Sequence, residues 1–339
     1  MASVLVILHK TCLSQFYKII FLVFLLSMAY WLGRRSCNVD NQVYFQEVRR
    51  STEYSEKEIQ HKTAKFNREA RKQAMERCCQ RRDSSRALTL KEEVNVFTHV
   101  IVDRKNKLLY CYIPKVASSN MKRLMLTLQN FTNDSNLIKH FNKQGFEYLS
   151  DVDPTERVAM LKSYFKFMFV RNPQLRLVSA FKNKFLKPNT AFQLMYGQNI
   201  VFRYRRPSMP RNLIKGDDVT FQEFTRYLVD KNHDMLTTNE HWMPMYNLCQ
   251  PCYIKYDFIG SFEELALDTS ALLKQIRAPK HASFPRKQKS YGKAITNTEY
   301  ANFYKNLTLS EFQSLRKRYT DDFTCFNYKF INNQELKPK

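Results

Sequence analysis

The sequence predicts an α/β domain with a central, mostly parallel sheet flanked by helices, preceded by one transmembrane helix. Two observations give the domain. Short apolar runs rich in aromatics alternate with segments of helical period. Basic turns follow two of those runs. A third observation, an apolar stretch near the N-terminus, gives the membrane helix.

The 339 residues suffice for a sizeable core. High aromatic content with only six glycines argues against a disordered or low-complexity chain. No internal repeat is visible, which argues against a solenoid or propeller. The formal net charge of +24 calls for an anionic partner: nucleic acid, an acidic membrane surface or an acidic polymer.

Residues 1–15 read as a short cytoplasmic tail. Residues 16–32, "FYKIIFLVFLLSMAYWL", match the roughly 17–25 residues of a membrane span. Lys18 lies near one end, and Tyr30 and Trp31 lie at the other like interfacial anchors. A cleaved signal peptide is the alternative, but the run is long and no small-x-small site follows it. The expected topology is type II, with the bulk of the chain in the lumen. Flanking charges do not settle the orientation. Sequons at Asn130, Asn133 and Asn306 support it as glycosylation candidates. Seven cysteines follow the anchor: Cys37, Cys78, Cys79, Cys111, Cys249, Cys252 and Cys325. In an oxidising lumen several should pair, and their odd number leaves at least one over. A lumenal site disfavours nucleic acid and makes acidic glycans the natural partner.

Residues 33–95 are polar and charged and read as an exposed, basic, helical stem. Residues 96–335 read as the lumenal domain. "LLYCYIP" (108–114) has the composition of a buried strand. "SSNMKRLMLTL" (118–128) sets Met121, Leu124, Met125 and Leu128 on one helical face. "SYFKFMFV" (163–170) is a second buried strand, ending at Arg171, and Pro173 opens the helix after it. "FQEFTRYLVD" (221–230) is a third helix. Residues 253–276 read as a strand, a turn at Gly260 and a helix. Ligands of such sheets bind at the carboxyl ends of the strands, where both basic turns fall.

The first turn, "PKVASSN", opens a helix. Helix starts offer unpaired N–H groups and a positive dipole end. Lys115 adds charge, and Ser118 or Ser119 either caps the helix or donates a hydroxyl to an anion. The glycines of a triphosphate loop are missing. At the second turn Arg171 and Ser179 offer a grip for a second phosphate, with a salt bridge for Arg171 and a carbonyl bond for Ser179 as the plainer alternatives. Cys249 and Cys252 form a C-x-x-C without a matching second pair, which favours disulfides over a metal. "KNKFLK" (182–187) and "RYRRPSMPRNLIK" (203–215) are basic and aromatic. Lys182, Lys184, Arg203, Arg205 and Arg206 are the candidate contacts for an anionic acceptor, against a solvated loop.

"YCYIPKVASSNMKRLM" and "FMFVRNPQLRLVSAFKNKF" resemble the 5′-phosphosulfate and 3′-phosphate motifs of the Golgi carbohydrate sulfotransferases. The branch is that of the chondroitin and dermatan 4-O-sulfotransferases, the GalNAc 4-sulfotransferases and the HNK-1 sulfotransferase. "NEHWMPMYNLCQPCYIKYDFIGSFEEL" (239–265) resembles a third shared block, and the likeness runs over roughly 95–330. It implies a P-loop-like sulfotransferase fold, a Golgi membrane anchor and the sulfate donor 3′-phosphoadenylyl sulfate (PAPS), with no metal. By position, Pro114, Lys115, Val116, Ala117, Ser118, Ser119 and Asn120 would surround the 5′-phosphosulfate. Arg171, Asn172, Pro173, Gln174, Leu175, Arg176, Leu177, Val178 and Ser179 would form the 3′-phosphate segment. Relatives usually carry tryptophan at Met121 and acidic residues at Asn172 and Leu175.

In the transfer this implies, a sugar hydroxyl attacks sulfur while charge grows on the leaving phosphate. Lys115 and the helix start would stabilise that charge. His241 is the candidate base and Glu240 the runner-up; purely structural roles are the alternative. The preferred acceptor is the 4-position of GalNAc in chondroitin or dermatan. The alternatives are a glycoprotein glycan, with terminal GalNAc or the HNK-1 glucuronate, or a non-catalytic glycosaminoglycan-binding membrane protein.

Overall fold

A computed structural model of the chain describes residues 56–82, 86–130, 145–230, 239–285 and 297–331, with Phe24, Ser27 and Met28. Two compact units divide between Thr63 and Ala64. In the smaller, Phe24, Ser27 and Met28 are helical, and the Ser27 hydroxyl donates to the Phe24 carbonyl at 2.8 Å. The rest of the expected anchor at 16–32 lies outside the described residues, as does Cys37. Among the described residues no helix is long and apolar enough to cross a membrane.

In the larger unit the helices are α1 (residues 64–80), α2 (Leu90–Phe97), α3 (Ser118–Leu128), α4 (Pro154–Ser163), α5 (Pro173–Phe181), α6 (Thr190–Phe192), α7 (Gln198–Tyr204) and α8 (Phe221–Val229). After them come α9 (Met245–Cys249), α10 (Pro251–Ile254), α11 (Leu265–Gln275), α12 (Asn297–Tyr304), α13 (Leu309–Arg318) and α14 (Thr320–Cys325). π-helical turns over Lys182–Leu186 and Gln193–Gly197 follow α5 and α6.

The strands are β1 (Val100–Asp103), β2 (Leu108–Cys111), β3 (Glu147–Tyr148), β4 (Phe165–Val170) and β5 (Phe258–Ser261), in the order β3-β1-β2-β4-β5. β2, β4 and β5 pair in parallel, joined by helical crossovers. β1 is antiparallel to both β2 and β3, so only half of the described pairings are parallel. The reason is local: residues 104–107 join β1 to β2 in a tight turn with Lys107 at φ 53°, and so short a link permits only antiparallel pairing. The central strands β1, β2 and β4 are buried but for the first residue of β4, as near-continuous apolar runs require.

Gly260 lies within β5 rather than in a turn. A Cβ there would stand 2.3 Å from the Phe169 ring, so the glycine is where β4 presses an aromatic against its neighbour. The larger unit also starts earlier than residue 96. Arg68 bonds Asp268 at 2.5 Å, Arg71 reaches the Ile259 carbonyl at 2.9 Å, and Met75 is buried. Three disulfides, Cys78–Cys325, Cys79–Cys252 and Cys111–Cys249, fasten α1 and β2 to distant segments. The two cysteines of the C-x-x-C therefore take separate partners. One apolar cluster packs against the sheet. A second, rich in aromatics, includes Phe181 and Tyr304, and within it Phe185, Phe192, Tyr196 and Phe224 meet the ring of Trp242.

Candidate active site

β2 and β4 run side by side, with Cys111 opposite Met168, so the chain leaves both at the same edge of the sheet. The turns carrying Lys115 and Arg171 are therefore neighbours. Lys115 at φ 72° and Ala117 at φ 55° take left-handed backbone without being glycine. That costs about 1–2 kcal/mol per residue and must be held by surrounding structure. Two guanidiniums hold it. Arg171 Nη1 donates to the Lys115 carbonyl at 3.0 Å, and Arg176 Nε donates to the Pro114 carbonyl at 3.0 Å.

Ala117 is the N-cap of α3 and has no side-chain acceptor, so Ser118 and Ser119 sit inside the first turn and neither caps it. The N–H groups of Ser118 and Ser119 are left for an anion, while that of Asn120 donates to the Ala117 carbonyl at 3.0 Å. Val116 is buried, and Asn120 turns inward to accept from Arg123 Nη1 at 2.8 Å. Met121 is fully buried in the sheet-side cluster, so the loop floor is apolar.

Arg171 is buried, its guanidinium 4.1 Å from the centre of the Phe262 ring. Its Nε has no hydrogen-bond partner among the described residues. Burial lowers its pKa to about 10 against the opposing pull of Glu263. Burial also brings Lys115 down to about 7, helped by Lys184, Arg171, Lys187 and Arg176. These cations crowd one space around Lys115, with Glu263 acting on Arg171, Glu240 on Lys184, and Asp322 and Glu240 on Arg176. An orphaned buried donor, an uncapped helix start and a depressed lysine fit a phosphorylated, multiply anionic group.

The rest of the 171–179 run has mostly structural duties. Asn172 caps α5, its Oδ1 accepting from Gln174 N at 3.0 Å and Leu175 N at 3.3 Å, and Pro173 fills the first turn. Gln174 exchanges two bonds with Ile331. Leu177 and Val178 are core, and Leu175 packs at its edge. Arg176, 1 % exposed, also reaches the Met243 carbonyl at 2.6 Å and the Glu240 carbonyl at 2.8 Å. It is a strut between the Lys115 loop and the Glu240 segment, not a free cation. Ser179 is half-buried on α5.

Residues 239–243 form a turn facing that loop. Glu240 Oε2 accepts from His99 Nε2 and from the Tyr112 hydroxyl, both at 3.2 Å. Burial works against its charge, but the His99 bond, the neighbouring His241 and the Tyr112 bond outweigh it and hold the carboxyl at about 2. Its Oε2 is thus already occupied by two donors. His241 is brought down to about 3 by burial, then by Lys184, Lys115 and Arg176. Its imidazole is neutral near pH 7.

Of the basic acceptor candidates, Lys184 is at the site, 4.0 Å from the centre of the Phe192 ring and half-buried. Lys187, which the sequence reading passed over at the end of "KNKFLK", joins it beside Lys115. Lys182 is paired with Glu299. Arg203 bonds Asp230 at 2.7 Å, and Arg205 bonds both Asp218 and Glu223. Three expected contacts are thus neutralised by acids distant in sequence, while Arg206 stays exposed. His99 and Tyr112 were not anticipated either; nothing in their local pattern marks them. Asn130 and Asn306 are exposed, and Asn133 lies outside the described residues.

The profile of the family described as "Sulfotransferase family" matches residues 98–329. A carbohydrate sulfotransferase 14 of Danio rerio is 44% identical over 236 residues, which are 69% of this chain and 63% of that protein. The Mus musculus protein of that name is 41% identical over 69% of this chain and 61% of its own length. The matched part of the chain thus spans less than two thirds of these two relatives. A carbohydrate sulfotransferase 11 of Rattus norvegicus is 33% identical over 96% of this chain and 94% of its own. No solved structure gives a significant match.

Proposed function

The chain belongs to the sulfotransferase family, and from that premise we propose that it transfers sulfonate from PAPS to a hydroxyl of a glycan. The observation that carries the reading is the pairing of two turns at one sheet edge. Arg171, with an unpartnered buried Nε, holds open the loop whose Lys115 and uncapped α3 start face the same space.

Lys115, Ser118, Ser119 and the first-turn N–H groups of α3 would hold the 5′-phosphosulfate, and Arg171 and Ser179 the 3′-phosphate. Bound there, PAPS supplies an activated sulfonate on a phosphate leaving group. His241 Nε2 takes the proton of the attacking hydroxyl as the acceptor oxygen bonds sulfur. The leaving phosphate oxygen keeps the electron pair of the broken bond to sulfur. Lys115 and the α3 start stabilise the charge growing there. The anion also offsets the cations that depress His241, while burial, the larger cause, stays in place, so filling the site raises the basicity of the imidazole in part.

Lys184, Lys187 and Arg206 would steer an anionic acceptor, and the 4-position of GalNAc in chondroitin or dermatan is the preferred target. A type II Golgi location, with sequons at Asn130, Asn133 and Asn306 in the lumen, completes the proposal; the three disulfides agree with an oxidising compartment. The test is transfer of labelled sulfonate from PAPS to desulfated glycosaminoglycans and glycoproteins. Label should enter chondroitin or dermatan, and no transfer to any acceptor would refute the activity.

A further inference from the structure

We propose that Asn239 is a positioning residue that fixes which nitrogen of His241 is free to accept a proton. The proposal rests on His241 being the base. Asn239 Oδ1 lies 3.0 Å from the backbone N of His241 and 2.8 Å from its ring Nδ1. A backbone N–H can only donate, so the side-chain atom it meets is the carbonyl oxygen. That oxygen can only accept, so Nδ1 must carry the ring hydrogen. In the neutral imidazole the lone pair is then on Nε2.

The far side of the amide is fixed as well. Asn239 Nδ2 donates to the Tyr196 hydroxyl at 3.1 Å; that hydroxyl can donate as well as accept, so it is the backbone N–H of His241 that excludes a flip. Tyr196 is itself held: its ring meets Trp242 edge-on with centroids 5.0 Å apart. The next residue, Gly197, meets Gly216 so closely that a Cβ would stand 2.1 Å from the Gly216 carbonyl oxygen. The π-helical turn after α6 therefore sets Tyr196, Tyr196 sets the amide, and the amide sets the imidazole. The charged groups around the ring are Lys184 of the turn after α5, Lys115 of the loop, Arg176 of α5 and the adjacent Glu240. Glu240 Oε1 stands 3.9 Å from the same Nδ1, outside hydrogen-bond reach, so it favours the same tautomer only weakly; Asn239 Oδ1 at 2.8 Å is the group bonded to that nitrogen.

The test is nitrogen NMR of the full chain labelled at histidine, with the His241 signals assigned from His241→Gln. At pH 7 the wild type should show protonated Nδ1 and bare Nε2. Asn239→Ala should shift both signals toward a mixture of tautomers. It should lower kcat by up to about 100-fold, the lower range of what a general base supplies, with unchanged affinity for 3′-phosphoadenosine 5′-phosphate (PAP). Asn239→Asp keeps an acceptor at Nδ1. It should restore the spectrum and most of the turnover, with the acid limb of the pH–rate profile moved to higher pH by the added charge. Bare Nδ1 in the wild type, or an unchanged spectrum in Asn239→Ala, overturns the proposal whatever turnover does. Full turnover in His241→Gln would instead remove the base reading while leaving the spectrum to decide the tautomer.

Discussion

Arg171 Nη1 donates to the main-chain carbonyl of Lys115 at 3.0 Å, so the residue expected to hold one phosphate also shapes the loop for the other. A glycine-free phosphate loop needs such help. Lys115 and Ala117 sit in left-handed backbone, and the bond from Arg171 lies across that bend.

Arg171→Ala should weaken PAP binding roughly 10- to 100-fold, from the loss of charge-assisted hydrogen bonds of about 1.5–3 kcal/mol. Arg171→Lys keeps the charge without the planar fork and should fall between. Calorimetric titration with PAP measures both; wild-type affinity in the alanine variant would show that the turn is not a donor site.

Arg176→Met should act on the fold. It leaves the carbonyls of Pro114, Glu240 and Met243 without the donor they share. Three such losses at a buried site cost about 3–5 kcal/mol, or roughly 10 °C in Tm for a unit of this size. Scanning calorimetry checks this, and a Tm within about 2 °C of wild type would contradict the strut.

Lys115 should take up a proton when the site fills. Its pKa is held near 7 in the empty site, below the ordinary 10.5, and a bound anion raises it. At pH 8 the empty lysine is mostly neutral and the filled one charged, so uptake on PAP binding should approach one proton; at pH 6 it should nearly vanish. Titration in buffers of different ionisation enthalpy reads this directly. The same depression makes the empty fold gain stability as pH rises from about 7 toward 10.5, where the unfolded chain still binds the proton.

His241 and Glu240 should separate cleanly. His241→Ala should bind PAP normally and lose turnover by about 10²- to 10⁴-fold. Glu240→Gln should keep much of its activity. Its effect should appear in acid: a carboxyl held at about 2 rather than 4.5 stabilises the fold above pH 4.5, and this is lost as pH falls toward 2. Acid unfolding of Glu240→Gln should lack that component. An inactive Glu240→Gln beside an active His241→Ala would reverse the assignment.

Much of this was legible in the sequence. The run 118–128 gave α3 at its observed bounds, because its apolar residues repeat with helical period; the strand before it, read over 108–114, ends at Cys111. β4 and the proline-opened α5 followed from the same local signals. What escaped depends on partners far along the chain. Arg203 and Arg205 look like free cations until Asp230, Asp218 and Glu223 arrive beside them. The polar helix 64–80 looks solvated until Asp268 and Glu264 meet Arg68 and Arg71. Gly260 looks like a turn until Phe169 occupies the space of its missing side chain. Cysteine pairing is likewise silent in one dimension.

The most direct measurement of the central claim is transfer of labelled sulfonate from PAPS by the wild type, Lys115→Ala and Arg171→Ala, with PAP binding measured on the same preparations. The account predicts label in a chondroitin or dermatan acceptor with the wild type, and loss of most transfer and of PAP affinity in both variants without loss of fold. A folded wild type that neither binds PAP nor labels any acceptor would contradict it.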